Sequence, residues 1–81
     1  MVTSEQLRAA RALKRMDQAG LAKRAGVSVE TIKRLEKMEG PLLSATGTTL
    51  SAIRAALEAA GVIFIDENGE GPGVRLRKAS T

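Results

Sequence analysis

The feature that most constrains this chain is the spacing of apolar residues between Asp17 and Glu36, in the stretch DQAGLAKRAGVSVETIKRLE. Leu21, Ala22, Ala25, Val27, Ile32 and Leu35 recur at helical intervals on either side of Gly26. That spacing predicts two short helices that meet at a tight turn and share one core. Asp17 can cap the first helix by accepting a backbone N–H, and its charge suits the positive end of the helix dipole. Ser28 can cap the second in the same way. Gly26 follows the last apolar residue of the first helix, where a left-handed conformation costs glycine nothing.

The rest of the chain has to complete that core from a restricted palette. With 81 residues it is one small domain, able to bury only about 60–65% of its unfolded surface, so a partner subunit would add stability. Phe64 is the single aromatic residue, and Leu, Ile, Val, Ala and Met must supply the interior. There is no Cys and no His, which removes disulfides, thiolate metal sites, and the commonest metal ligand and general base. Tyr is also absent and no carboxylates pair at a convergent spacing, so no catalytic group, metal or cofactor is expected. No apolar run approaches the ~18 residues of a membrane span, and the start of the chain lacks a signal-peptide pattern. A cytoplasmic protein without membrane partners is expected.

Charge is unevenly spread. Residues 1–37 carry nine Lys or Arg against four acids, a net of +5, whereas residues 38–81 balance at −1. The positive half is the half with the paired helices. Basic residues near phosphates release condensed counterions, the main source of sequence-independent DNA affinity; the same distribution would also serve a solvated helical face.

In chain order, Thr3 and Gln6 have capping-box spacing, so a helix should run from Ser4 to about Arg15 with Leu7, Ala10 and Leu13 as its apolar stripe. The second helix is expected over Gln18 to Ala25, where the interior Gly20 costs about 1 kcal/mol relative to Ala. The third should span Val29 to Lys37. Residues 38–49, MEGPLLSATGTT, contain Gly40 and Pro41 and read as a loop, from which Leu42 or Leu43 can cover the core. A fourth helix is expected from about Thr49 to Ala60, with Leu50, Ile53, Ala56, Leu57 and Ala60 on one face and Gly61 closing it. VIFID and VRLRK flank the turn signal ENGEGPG and predict a β-hairpin. Val74 and Leu76 should face the protein and Arg75 and Arg77 water, while VIFI is apolar on both faces. The fold class is therefore mainly α, four helices with a C-terminal β-hairpin. Residues 1–61 form the helical part, and residues 62–81 form the hairpin and a disordered end from Lys78.

The stretch over residues 17–37 resembles the helix-turn-helix of the lambda-repressor-like family, the Cro/CI or XRE type of DNA-binding transcriptional regulator. Gln18, Leu21, Ala22, Ala25, Gly26, Val27, Ser28, Thr31, Ile32, Leu35 and Glu36 carry the resemblance, with Leu7 and Arg11 upstream and Leu50, Ile53 and Leu57 downstream. It covers roughly residues 4 to 60. Arg15 departs from it, standing where family members usually have Gly. The resemblance implies that Arg11 pairs with Glu36, fixing the first helix against the third. It also implies that Val29, Glu30 and Arg34 read bases. Glu30 can accept from cytosine N4, Arg34 can bond guanine O6 and N7, and Val29 can touch a thymine methyl. Glu30 and Arg34, four residues apart, can equally pair with each other. Gln18, Ser28, Thr31, Lys33 and Lys37 are expected at phosphates, with Ser44, Thr46 and Thr48 as weaker candidates.

The function so implied is a sequence-specific regulator, in the simplest case a repressor, of a prokaryote or one of its mobile elements. It would bind double-stranded DNA at an inverted repeat as a homodimer, with Val62, Ile63, Phe64 and Ile65 at the dimer interface. The alternative is an antitoxin-type interaction module that binds a protein partner through its C-terminal part and regulates its own operon.

Overall fold

Four side-chain caps divide the chain into its elements. The computed structural model describes residues 2–42 and 45–78. Within them, helices α1 (Ser4–Leu13), α2 (Gln18–Ala25), α3 (Val29–Lys37) and α4 (Gly47–Ala59) precede strands β1 (Val62–Ile65) and β2 (Gly73–Leu76), which pair antiparallel. The mainly α architecture with a C-terminal hairpin is the one the sequence predicts. Thr3, Asp17, Ser28 and Thr46 each accept a backbone N–H three residues on, satisfying donors that the first turn of a helix leaves unpaired. Thr3 and Gln6 complete a reciprocal capping box. The cap on Thr46 explains why α4 starts at Gly47 rather than near Thr49.

Two departures cluster at the end of α1. The helix stops at Leu13, and Arg15 takes φ 51°, the left-handed region that costs a residue with a Cβ about 1–2 kcal/mol. This is the position where the resembling family usually places glycine. Leu13, expected on the apolar stripe, is 41% exposed, whereas Leu7 and Ala10 are buried. It is the last residue of α1 and overhangs the elements that cover the other two. Gly20 acquires a reason as well: its N–H donates to Asp17 Oδ1 at 2.6 Å, and an added Cβ would sit 2.9 Å from that oxygen.

The core draws on all four helices and on β1, with β2 adding only the half-buried Val74 at its margin. Leu7 and Ala10 of α1, Leu21 and Ala22 of α2, Ile32 and Leu35 of α3, and Ile53 and Leu57 of α4 are buried together, with Val2, Leu42, Val62 and Phe64. Leu50 and Ala56 pack at its margin. Leu42 is delivered by backbone bonds that tie the loop after α3 to the chain's start, Ser4 N–H to Gly40 O at 2.9 Å and Leu42 N–H to Val2 O at 3.2 Å. The expectations for Leu43, for Ser44 and for residues 79–81 lie outside the described residues.

Register decides what the hairpin contributes. Val62 pairs with Leu76 and Phe64 with Val74, and cross-strand partners share a face of the sheet. That face turns inward, so Val62 and Phe64, expected between two copies, are instead buried in the protomer's own core. Only Ile63 and Ile65 of that strand remain half-buried on the other face. Leu76, expected to face the protein, lies at the end of the inward face and is 45% exposed.

Two side chains fasten the hairpin. Gln6 accepts the Thr3 N–H at 2.9 Å with Oε1 while its Nε2 donates to Ile65 O at 3.1 Å and Gly73 O at 3.0 Å. From α4, the Arg54 guanidinium lies 5.2 Å from the centre of the Phe64 ring and 3.9 Å from Asp66, an attraction of cation for ring face. The turn is closed by Glu67, whose carboxylate accepts the N–H groups of Gly69 and Gly71 at 2.7 and 2.8 Å. Those bonds hold its carboxyl below the usual range.

Gln6→Glu tests whether the second role of Gln6 matters. Glutamate keeps the capping acceptor but loses both donated bonds and sets a charge against two carbonyls. The expected outcome is a loss of about 1–3 kcal/mol, seen as a melting temperature lower by several degrees, with hairpin amides exchanging faster in hydrogen-exchange NMR.

Candidate nucleic-acid interface

The turn between α2 and α3 is built from a glycine that takes the left-handed conformation without steric cost and a serine that caps the next helix. Gly26 lies at φ 70°, its N–H and that of Val27 close onto Lys23 O and Ala22 O, and Ser28 then opens α3. With Ile32 and Leu35 turned into the core, the opposite side of α3 is left to Glu30, Lys33, Arg34 and Lys37, all exposed, with Val29 and Thr31 half-buried at its N-terminal end. A helix presenting its N-terminal residues and one polar face fits the major groove, which is wide enough to admit it.

That face is not neutralised. Among the described residues, ion pairs join Arg8 to Glu5, Arg11 to Glu36, and Arg54 to Glu58 and Asp66. Among the described residues, Lys23 and Arg24 of α2 and Lys33, Arg34 and Lys37 of α3 have no carboxylate partner, and the Glu30 to Arg34 pair that the spacing allows is not formed. Both side chains stand free at the positions expected to read bases. The cations around them are available to phosphates, where release of counterions drives association.

The smaller polar groups are partly committed. Ser28 Oγ accepts the Thr31 N–H at 3.1 Å and lies 2.8 Å from Thr31 Oγ1. One hydroxyl proton bridges the two oxygens, and the second remains to be donated. Thr46 is likewise engaged as the cap of α4, bonded to Thr49, and Thr48 is exposed in the first turn of that helix.

Behind the exposed face, one carboxylate fixes the arrangement. Glu36 is buried, and its two oxygens receive Arg11 Nε at 2.7 Å and Arg11 Nη2 at 2.9 Å. The third guanidinium nitrogen, Nη1, donates to Met16 O at 2.9 Å, in the junction between α1 and α2. Gln18 Nε2 adds a bond to Glu36 Oε1 at 3.1 Å, and Ser4 Oγ one to the Glu36 carbonyl at 3.2 Å. The hydrogen bonds to Glu36 raise the Arg11 pKa above its ordinary value, against the opposing effect of burial. Four segments therefore meet at the end of α3. The bond from Gln18 was not visible in the sequence, because nothing local marks a contact between residues 18 positions apart. It commits one amide hydrogen of Gln18 to Glu36, so that only the other can be donated elsewhere.

The comparisons agree with this geometry. A family model described as helix-turn-helix matches residues 7–59, from Leu7 of α1 to the last residue of α4, and leaves the hairpin outside. No curated protein matches the chain.

Glu36→Ala should strip Arg11 and Gln18 of their shared acceptor. The expected cost is about 3 kcal/mol, the lower end for breaking a buried pair, because a quarter of the Arg11 side chain reaches water while that of Glu36 is 6% exposed. Glu58→Ala, which opens the exposed pair with Arg54, should cost less than about 1 kcal/mol. Thermal melts of the two variants side by side check the difference.

Proposed function

This chain belongs to the Cro/CI-type helix-turn-helix family of DNA-binding transcription regulators, and on that premise we propose that it is a sequence-specific repressor that binds an inverted-repeat operator as a homodimer. The observation that carries the reading is the outer face of α3, where Glu30 and Arg34 stand exposed, and, among the described residues, unpaired amid cations without carboxylate partners. Val29, Glu30 and Arg34 read base edges in the major groove. Gln18, Ser28, Thr31, Lys33 and Lys37 hold the flanking phosphates, which set register without carrying sequence information.

Two copies place two recognition helices on one side of the duplex, so half-sites lie about 10 bp apart, centre to centre. Occlusion of a promoter is then sufficient for repression. The hairpin is the dimerisation element, with Ile63 and Ile65 supplying the apolar surface that Val62 and Phe64 do not. The alternative of an antitoxin-type module with a protein partner draws on that same surface. It has less to draw on than the sequence promised, since half of the VIFI strand is buried within the protomer.

Competition binding tests the assignments singly. Arg34→Ala should weaken the preferred duplex by about 1–3 kcal/mol and relax one base position, whereas Lys37→Ala should weaken all duplexes alike and reduce the salt slope by about 1. An equal loss on preferred and random DNA would remove Arg34 from the base-reading set.

A further inference from the structure

An open cleft of about 590 Å³ separates the helical body from the turn of the hairpin. Among the described residues it is lined by Thr3 and Glu5 at the start of α1, Gly40 and Pro41 after α3, and Glu67 and Pro72 in the turn. None of them is among the residues proposed to touch DNA. The size falls within the roughly 300–1,000 Å³ of small-ligand sites.

The walls are fastened without an occupant. Thr3 bridges Pro41 in antiparallel fashion, and Ser4 N–H donates to Gly40 O at 2.9 Å. On the other side, Gln6 Nε2 ties the two strands where the turn begins and ends, at Ile65 O and Gly73 O. Glu67 Oε1 closes the turn itself by accepting the N–H groups of Gly69 and Gly71. A site already held in shape loses little freedom when it fills.

The lining sets the charge of what can fill it. Thr3 N–H is spent on Gln6 Oε1 and Gly40 N–H on Glu5, while Pro41 and Pro72 have no N–H. Four of the six lining residues therefore offer a ligand no backbone donor. What the cleft offers instead is the apolar surface of two proline rings and one carboxylate from each wall. Both turn bonds of Glu67 fall on Oε1, so Oε2 has lone pairs to give. Glu5 lies 3.5 Å from Arg8 Nη2, but both side chains are about half exposed, and a pair so hydrated contributes little and exchanges readily for another cation.

From this we infer that the cleft binds a small organic cation with two positive groups on an apolar frame, one group at Glu5, the other at Glu67, and the frame against Pro41 and Pro72. A bare metal ion is a poorer match, since among the described residues no three acidic, His or Cys side chains gather to hold one. A protein surface is a poorer match as well. The exposed large apolar side chains among the described residues are Leu13 and Leu76, neither of which lines the cleft, whereas the centre of a protein contact is built from such groups. A bound dication links the hairpin turn to the start of α1, beside the docking bonds of Gln6.

Titration of the isotope-labelled full chain with para-xylylenediamine, followed by heteronuclear NMR, tests the site. Saturable shifts are expected at the amides of Glu5, Gly40, Glu67, Gly69 and Gly71, while those of Glu30 and Glu58 stay in place. Para-methylbenzylamine, the same ring with one charge, should bind about fivefold more weakly. Glu5→Gln and Glu67→Gln keep the acceptors for Gly40 and for the turn, and each should weaken diamine binding about fivefold with the thermal melt nearly unchanged. Shifts spread over all acidic residues, or an affinity indifferent to the second charge or to both substitutions, would overturn the site. A lysine-containing peptide that binds there where the diamine does not would transfer the cleft to a protein partner and overturn the small-ligand assignment.

Discussion

The carboxylate of Glu36 is shared by Arg11 from α1 and Gln18 from the first turn of α2, while its own backbone carbonyl takes the Ser4 hydroxyl. Placing such a charge in the interior costs desolvation, and a well-packed apolar residue could stabilise as much. What the pair provides is direction. A bidentate guanidinium contact tolerates little rotation, and the third nitrogen of Arg11 is held by Met16 O, so the end of α3 cannot turn without breaking bonds to two other helices. A face proposed to read bases has to be held to a fraction of an ångström by groups behind it, and Glu36 is the buried anchor on the same helix that carries Lys33, Arg34 and Lys37.

The hairpin meets a different constraint, that of size. A two-stranded hairpin is marginal by itself, and a short helical domain has little core to spare. Each supplies what the other lacks. Val62 and Phe64 complete the interior between α1 and α4, and Gln6 and Arg54 reach out from those helices to the strands. One residue, Gln6, thereby serves the start of α1 and the docking of a segment about 60 positions away.

Local chemistry made most of the fold legible. The caps at Thr3, Asp17 and Ser28, the left-handed Gly26, and the periodicity of α2 and α3 are decided by neighbours in sequence, and their boundaries follow the residues that set them. The exposed outer face of α3 followed from the same periodicity. The contact of Arg11 with Glu36 was implied by family resemblance and stands in the structure at 2.7 Å. Where sequence reasoning fell short, the deciding contact was distant. Leu13 has the right spacing but overhangs its neighbours. Val62 and Phe64 read as spare apolar surface because their cover comes from elements far away in the chain. The second bonds of Gln6 and Gln18 have no local signature at all. The base preference of Val29, Glu30 and Arg34 is not legible for another reason, that side chains and bases do not map one to one and duplex shape contributes.

The most direct test of the central claim is selection of bound duplexes from a random pool at roughly physiological salt, followed by titration of the selected sequence against a scrambled one. An inverted repeat with half-sites about 10 bp apart, bound about 10³-fold or more above scrambled DNA, is the expected result. Binding that falls steeply with salt and is blind to sequence would contradict it, reducing α2 and α3 to a basic platform that holds phosphates and reads nothing.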